Sequence, residues 1–157
     1  MRRFLSTLVL MAWGLWFGGL IVLFVAVQTL FNTFPRETAG QGAARIFHAF
    51  NAYQLALAAV ALVATFAWRV TGPPRLKTTL FVLFALATVG ACVITMYFTP
   101  RIELLQHRGL TQTVEFKRLH GFSMLAYVGE AVALLVAGVV MPWVRSAREE
   151  LSSTTGT

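Results

Sequence analysis

Residues 119–144 have the sequence LHGFSMLAYVGEAVALLVAGVVMPWV, an apolar run with a single acidic residue, Glu130, near its middle. A helix needs roughly 20 residues to cross the hydrocarbon core of a membrane, and this run is longer. Three further apolar runs, at 4–34, 46–70 and 76–99, are also long enough. Only 12% of the chain is charged, whereas a soluble domain carries about 25%. The sequence therefore predicts an all-α integral membrane four-helix bundle, up-and-down, in a single domain.

The segment between the third and fourth runs is the longest predicted connection. Pro100 is expected to end the third helix, because proline lacks the backbone N–H that continues a helix. Residues 101–118 mix apolar and charged side chains, which predicts a short interfacial helix and a break near Gly109. In the first helix, Gly14 and Gly18 form a G-x-x-x-G pair, which is expected to pack inside the bundle.

The formal charge of +7 predicts contact with anionic lipid headgroups rather than with nucleic acid, because the basic residues flank the apolar runs. With four spans, the basic residues divide almost evenly between the two membrane faces. Arg2 and Arg3 precede the first helix, whose flanking charge usually dominates orientation. Both termini are therefore predicted to be cytoplasmic.

Glu130 is the main functional candidate. A carboxylate at bilayer depth is expensive, so it normally faces a protein interior or a water-filled cavity. On a helix with about 100° per residue, His120, Ser123, Tyr127 and Glu130 fall within an arc of roughly 80°. This polar face predicts a site inside the bundle.

Up-and-down order brings further polar residues to the membrane face where His120 lies, namely His48 and Asn51 of the second helix and Arg101 after the third. Glu130 is about 15 Å along the helix axis from His120, at 1.5 Å per residue. The seven residues predict a polar pocket that opens at one face and ends halfway through the membrane. The other half has no comparable ionisable group, which argues against a continuous proton path.

Three functional hypotheses follow. The first is a membrane protein that binds or passes a small solute or metal species in this pocket, with no catalytic residue. The second is a haem- or metal-binding membrane subunit in which His48 and His120 are the metal ligands. The third is a structural subunit of a homo-oligomer or of a larger membrane complex. Hydrolysis has little support, because the chain lacks a nucleophile elbow.

Five short motifs occur in order along the chain: Ala12-Trp13-Gly14, Phe34-Pro35-Arg36, Leu86-Ala87-Thr88-Val89, Thr99-Pro100-Arg101 and Leu119-His120-Gly121-Phe122-Ser123. This ordered set resembles the transmembrane protein 205-like family, which includes bacterial membrane proteins of unknown function. The resemblance implies a four-helix protein of the bacterial inner membrane with no established reaction. The chain departs from the family pattern at Gly90-Ala91, where the family often has a small polar residue such as asparagine, and at Ala126-Tyr127, where it often has asparagine.

Overall fold

The computed structural model describes residues 2–70 and 75–154, with side chains described for 3–70 and 76–144. The helices are α1 (Arg2–Thr33), α2 (Arg36–Arg69), α3 (Arg75–Val93), a π-helical segment (Ile94–Phe98), α4 (Thr99–His107) and α5 (Val114–Thr154). Four stretches in the described residues are long and apolar enough to cross a membrane. The predicted all-α four-helix membrane bundle is confirmed. The side chains of Arg2, Arg75, Arg145 and Arg148, which bear on orientation, lie outside the described residues.

The core of the bundle is formed by one face of each long helix. On α1 the buried residues recur every three or four positions, at Val9, Ala12, Trp16, Leu20 and Leu23, which is the spacing of one helical face. Alanines dominate the corresponding face of α2, and small side chains let helix backbones approach closely. The outward faces expose large apolar side chains, as expected where the surrounding solvent is lipid.

The prediction that Pro100 ends the third helix is wrong. The π-helical segment precedes Pro100, and α4 continues directly to His107. A wider π-helical turn separates the proline ring from the preceding carbonyl groups, so the helix can pass the residue that lacks an N–H. The predicted short helix between the third and fourth spans is therefore continuous with α3. The chain breaks at Gly109, whose φ is 71°, a conformation that glycine adopts without strain.

The G-x-x-x-G pair does not pack inside the bundle as expected. A methyl group placed on Gly14 or Gly18 would meet no neighbouring atom within 4 Å. The two glycines instead line a groove between α1 and α2 on the outer surface. Gly19 makes the close contact, because a Cβ there would lie 3.1 Å from the rings of Phe50 and Tyr53.

Candidate functional site

Asn51 is the centre of a polar cluster inside the bundle. Its Oδ1 accepts a hydrogen bond from the Tyr127 hydroxyl at 3.0 Å and another from Gln54 Nε2 at 3.2 Å. Its Nδ2 donates to Thr99 Oγ1 at 2.9 Å. Asn51 and Gln54 are almost fully buried, and so is Tyr127. One amide therefore joins α2 to α5 and to the start of α4.

Glu130 lies one helical turn beyond Tyr127 on α5 and is 2% exposed. Its Oε1 accepts a hydrogen bond of 2.7 Å from Trp16 Nε1, so the carboxylate is anchored to α1. Its Oε2 is buried and has no hydrogen-bond partner among the described residues. A buried polar atom without a partner costs about 1–3 kcal/mol, and more if it is charged. One oxygen of this carboxylate is therefore bonded to α1, and the other is buried without a partner among the described residues.

Close helix packing surrounds the carboxylate. A Cβ on Gly90 of α3 would lie 3.7 Å from Glu130 Cβ and 3.9 Å from the Ala126 carbonyl oxygen. The two places where the sequence departs from the expected family pattern are thus neighbours in the bundle. Gly90 leaves room for α5 to bring Glu130 against α3.

Gln54 and Glu130 each lie three residues beyond one member of the hydrogen-bonded pair Asn51 and Tyr127. The Tyr53 hydroxyl donates to the Leu15 carbonyl at 3.0 Å, which aligns that part of α2 with Leu15 on α1. Trp16, the next residue on α1, is bonded to Glu130. Gln54 is fully buried and Glu130 almost so, and both polar side chains therefore face the interior of the bundle.

The predicted residues at the pocket mouth are outside this cluster. His48 has a side chain that is 81% exposed, and its Nδ1 is 4.0 Å from Glu103 Oε1. Arg101 is exposed and stacks over the Tyr97 ring at 3.9 Å. His120 is exposed and stacks on Phe116. Of the seven candidate residues, the bundle buries Asn51, Ser123, Tyr127 and Glu130 and leaves these three at the surface.

The two histidines do not form an enclosed haem or metal pocket in this arrangement. A haem held between helices needs its axial imidazoles directed into the bundle, whereas both rings here are exposed. Among the described residues, no group of three or more His, Cys, Asp or Glu side chains is placed to hold a metal ion. The geometry instead brings together neutral polar groups and one carboxylate.

The family model described as a domain of unknown function, DUF4149, matches residues 11–111. The chain belongs to the DUF4149 family. No curated protein and no solved structure matched the chain. The DUF4149 match includes Trp16, Asn51, Gln54 and Thr99, and it ends before α5, which contributes Glu130.

Sequence patterns did not identify Trp16, Gln54 or Thr99 as site residues of this DUF4149 member. Gln54 follows His48 and Asn51 at spacing three, which gave a partial signal, but that spacing spreads residues around a helix. Trp16 is one of several aromatic residues in an apolar run, and nothing local distinguishes it from a packing residue. Their roles depend on contacts between helices that are far apart in sequence.

Proposed function

We propose that this DUF4149 member binds one small positively charged species at Glu130, inside the membrane and from one side of it. The observation that supports the proposal is the buried carboxylate with one oxygen bonded to Trp16 and the other without a partner. An ionisable residue at this depth is expensive and is usually found at a functional site. A bound positive charge would neutralise Glu130 and give Oε2 a partner.

The buried groups that lack partners favour a cation over an anion. Within the described residues, the atoms without partners are Gln54 Oε1, Thr95 Oγ1 and Glu130 Oε2. All three are oxygens, and the amide and carboxylate oxygens accept hydrogen bonds or coordinate hard cations. Arg101 and His48, which would attract anions, are exposed at the surface.

The charge of the site favours a monovalent species. Among the buried side chains of the described residues, Glu130 is the one acidic or basic residue. A single carboxylate balances a proton, an alkali cation or an ammonium ion. A divalent or transition-metal ion would need further anionic or imidazole ligands.

Binding is proposed rather than passage through the membrane. Beyond Glu130, the buried positions of α5 are Leu134, Ala137, Met141 and Val144. In the same half, Thr65 is the buried polar residue of α2, and its hydroxyl donates to carbonyls of its own helix. An ion leaving Glu130 in that direction would meet a dry apolar core, which opposes conduction.

We also propose that the protein is similar to the transmembrane protein 205-like family and lies in the bacterial inner membrane with cytoplasmic termini. The ordered motifs support a place in the transmembrane protein 205-like family, and the bacterial members of that family support the inner membrane. Arg2 and Arg3, at the start of α1, support cytoplasmic termini.

The test is a titration of the detergent-purified full chain with sodium, potassium and ammonium chloride at fixed pH, and then with acid. Tryptophan fluorescence is a suitable signal, because the indole of Trp16 contacts the carboxylate. We expect one site in the wild type and none in Glu130→Gln, which keeps the side-chain shape. Glu103→Gln, which removes the same charge near the surface, is the control and should bind normally.

The proposal is overturned if the wild type binds no positive charge or if Glu130→Gln binds as the wild type does. A Glu130→Leu protein that is more stable and fully folded, with no binding by the wild type, would show that the carboxylate is merely tolerated. A Soret band that disappears in His48→Ala or His120→Ala would instead favour the haem hypothesis.

A further inference from the structure

We infer that Gln54 Oε1 is the second ligand atom of the Glu130 site, so the cation is held between α2 and α5. This inference rests on the proposed function and names a residue that neither the polar sequence pattern nor the family match assigns. Gln54 is fully buried, and its Oε1 has no hydrogen-bond partner among the described residues. A buried amide oxygen in this state requires an explanation, since most such atoms are paired.

The direction of the hydrogen bonds leaves Gln54 with a free acceptor. Asn51 Oδ1 accepts from both the Tyr127 hydroxyl and Gln54 Nε2. Because the amide nitrogen of Gln54 faces Asn51, its carbonyl oxygen is the end that remains available. The Tyr127 proton is also committed to Asn51, so the cluster has little donor capacity to offer Glu130.

The depth of the two side chains supports a shared ligand. Gln54 follows Tyr53, which is bonded to Leu15, and Glu130 is bonded to Trp16, the next residue of α1. Both face the interior from different helices, and each lies three residues beyond one member of the bonded pair Asn51 and Tyr127. A positive charge there would satisfy an amide oxygen and neutralise a carboxylate, and carbonyl and carboxylate oxygens are suitable ligands for hard cations.

No other buried charge on the described helices competes with this arrangement. Trp16 is the partner from α1, and Gly90 is the close neighbour from α3. Tyr127, on the same helix as Glu130, is the other buried titratable side chain. The shared chemistry is therefore one positive charge coordinated by oxygens, supplied by a proton or by a monovalent cation.

The test compares Gln54→Met with Thr65→Val in the full-length protein, by the same titrations with sodium, potassium, ammonium and acid. Methionine keeps the length of the side chain but removes the oxygen, so affinity should fall about tenfold or more, as expected for a lost bond to a charged group. Thr65 is also buried on α2, but it bonds to its own helix. Thr65→Val should bind as the wild type does.

An exchange of the two side chains keeps the test decisive if Gln54→Met fails to fold. The double variant Gln54→Glu with Glu130→Gln moves the carboxylate from α5 to α2 and should regain the one-cation binding that Glu130→Gln loses. Gln54→Glu alone should bind a second positive charge. A response to acid alone identifies the ligand as a proton, whereas competition by sodium, potassium or ammonium identifies a monovalent cation.

The two proposals fail in distinguishable ways. If Glu130→Gln abolishes binding while Gln54→Met retains wild-type affinity, Gln54 is not a ligand and the proposed function stands. A folded double variant that binds nothing also overturns the role of Gln54. If the wild type itself binds no positive charge, both proposals are wrong.

Discussion

Two indoles of α1 allow the charge state of Glu130 to be tested with a close internal control. Trp16 Nε1 donates to Glu130 Oε1 and Trp13 Nε1 donates to the Leu134 carbonyl, both at 2.7 Å. Both bonds run from α1 to α5 and have the same length, and they differ in whether the acceptor is charged. The perturbation is Trp16→Phe, with Trp13→Phe as the matched variant.

The expected magnitudes follow from the two acceptors. A hydrogen bond to a charged group contributes about 1.5–3 kcal/mol, and a neutral one about 0.5–1.5 kcal/mol. Without cation, Trp16→Phe should therefore lower the free energy of unfolding by about 1–1.5 kcal/mol more than Trp13→Phe does, before the difference in packing is counted. With saturating cation the carboxylate is neutralised, and this part of the difference should disappear.

Thermodynamic linkage converts that difference into affinity. The indole N–H of Trp16 stabilises the free carboxylate more than the neutralised one. Removing this N–H should therefore tighten cation binding about five- to tenfold, because 1.36 kcal/mol corresponds to a factor of ten. Denaturant unfolding in detergent, followed by the helical circular dichroism signal, measures the stability. The titration described above measures the affinity, with a cation-sensitive signal other than Trp16 fluorescence, such as calorimetry.

One pattern of results would show that the Trp16 hydrogen bond is independent of the charge at Glu130. If Trp16→Phe lowers stability by the same amount with and without cation, and binds the cation with unchanged affinity, the Trp16 bond does not sense the charge at Glu130. The cation would then bind elsewhere or not at all. Trp13→Phe should leave the affinity unchanged, and a change there would show that helix packing rather than charge controls the titration.

Three further predictions concern packing, the Asn51 cluster and conduction. Gly138→Ala should lower the free energy of unfolding by about 1–3 kcal/mol, because the new methyl group would lie 2.8 Å from Trp13 Cε2. Gly129→Ala is the control, since its methyl group would have no atom within 4 Å. It should be neutral or slightly stabilising in the same denaturant titration. Asn51→Leu should be more destabilising than Tyr127→Phe, by about 1 kcal/mol or more, because it removes the partner of three polar groups, whereas in Tyr127→Phe the Asn51 Oδ1 atom still accepts from Gln54. Equal losses in unfolding experiments would contradict the central role of Asn51. Lipid vesicles that contain the protein should pass sodium, potassium and protons no faster than empty vesicles, as measured with ion-sensitive dyes. A protein-dependent leak would show that the apolar half of the bundle beyond Glu130 does not block ions.

The groups that form the candidate site were only partly predictable from sequence. Glu130 and Tyr127 share one face of one helix, so their proximity follows from helical geometry alone. His48, Arg101 and His120 were placed at the same end by the up-and-down order, but the end of a helix does not determine which way a side chain points. The structure leaves all three exposed and pairs Tyr127 with Asn51 instead.

The sequence by itself determined that the chain lies in lipid, that it has four membrane-spanning stretches and that one of them contains the carboxylate of Glu130. Each of these features is a property of a local segment, because it depends on the length of an apolar run and on the residues within it. It did not determine the path at Pro100, where a π-helical turn lets the helix continue. It also did not reveal that Trp16 is the partner of Glu130 or that Gln54 keeps a free oxygen. Those features depend on the rotation and depth of each helix in the bundle. Packing between α1, α2, α3 and α5 sets both, and residues more than 70 positions apart meet only after that packing is complete.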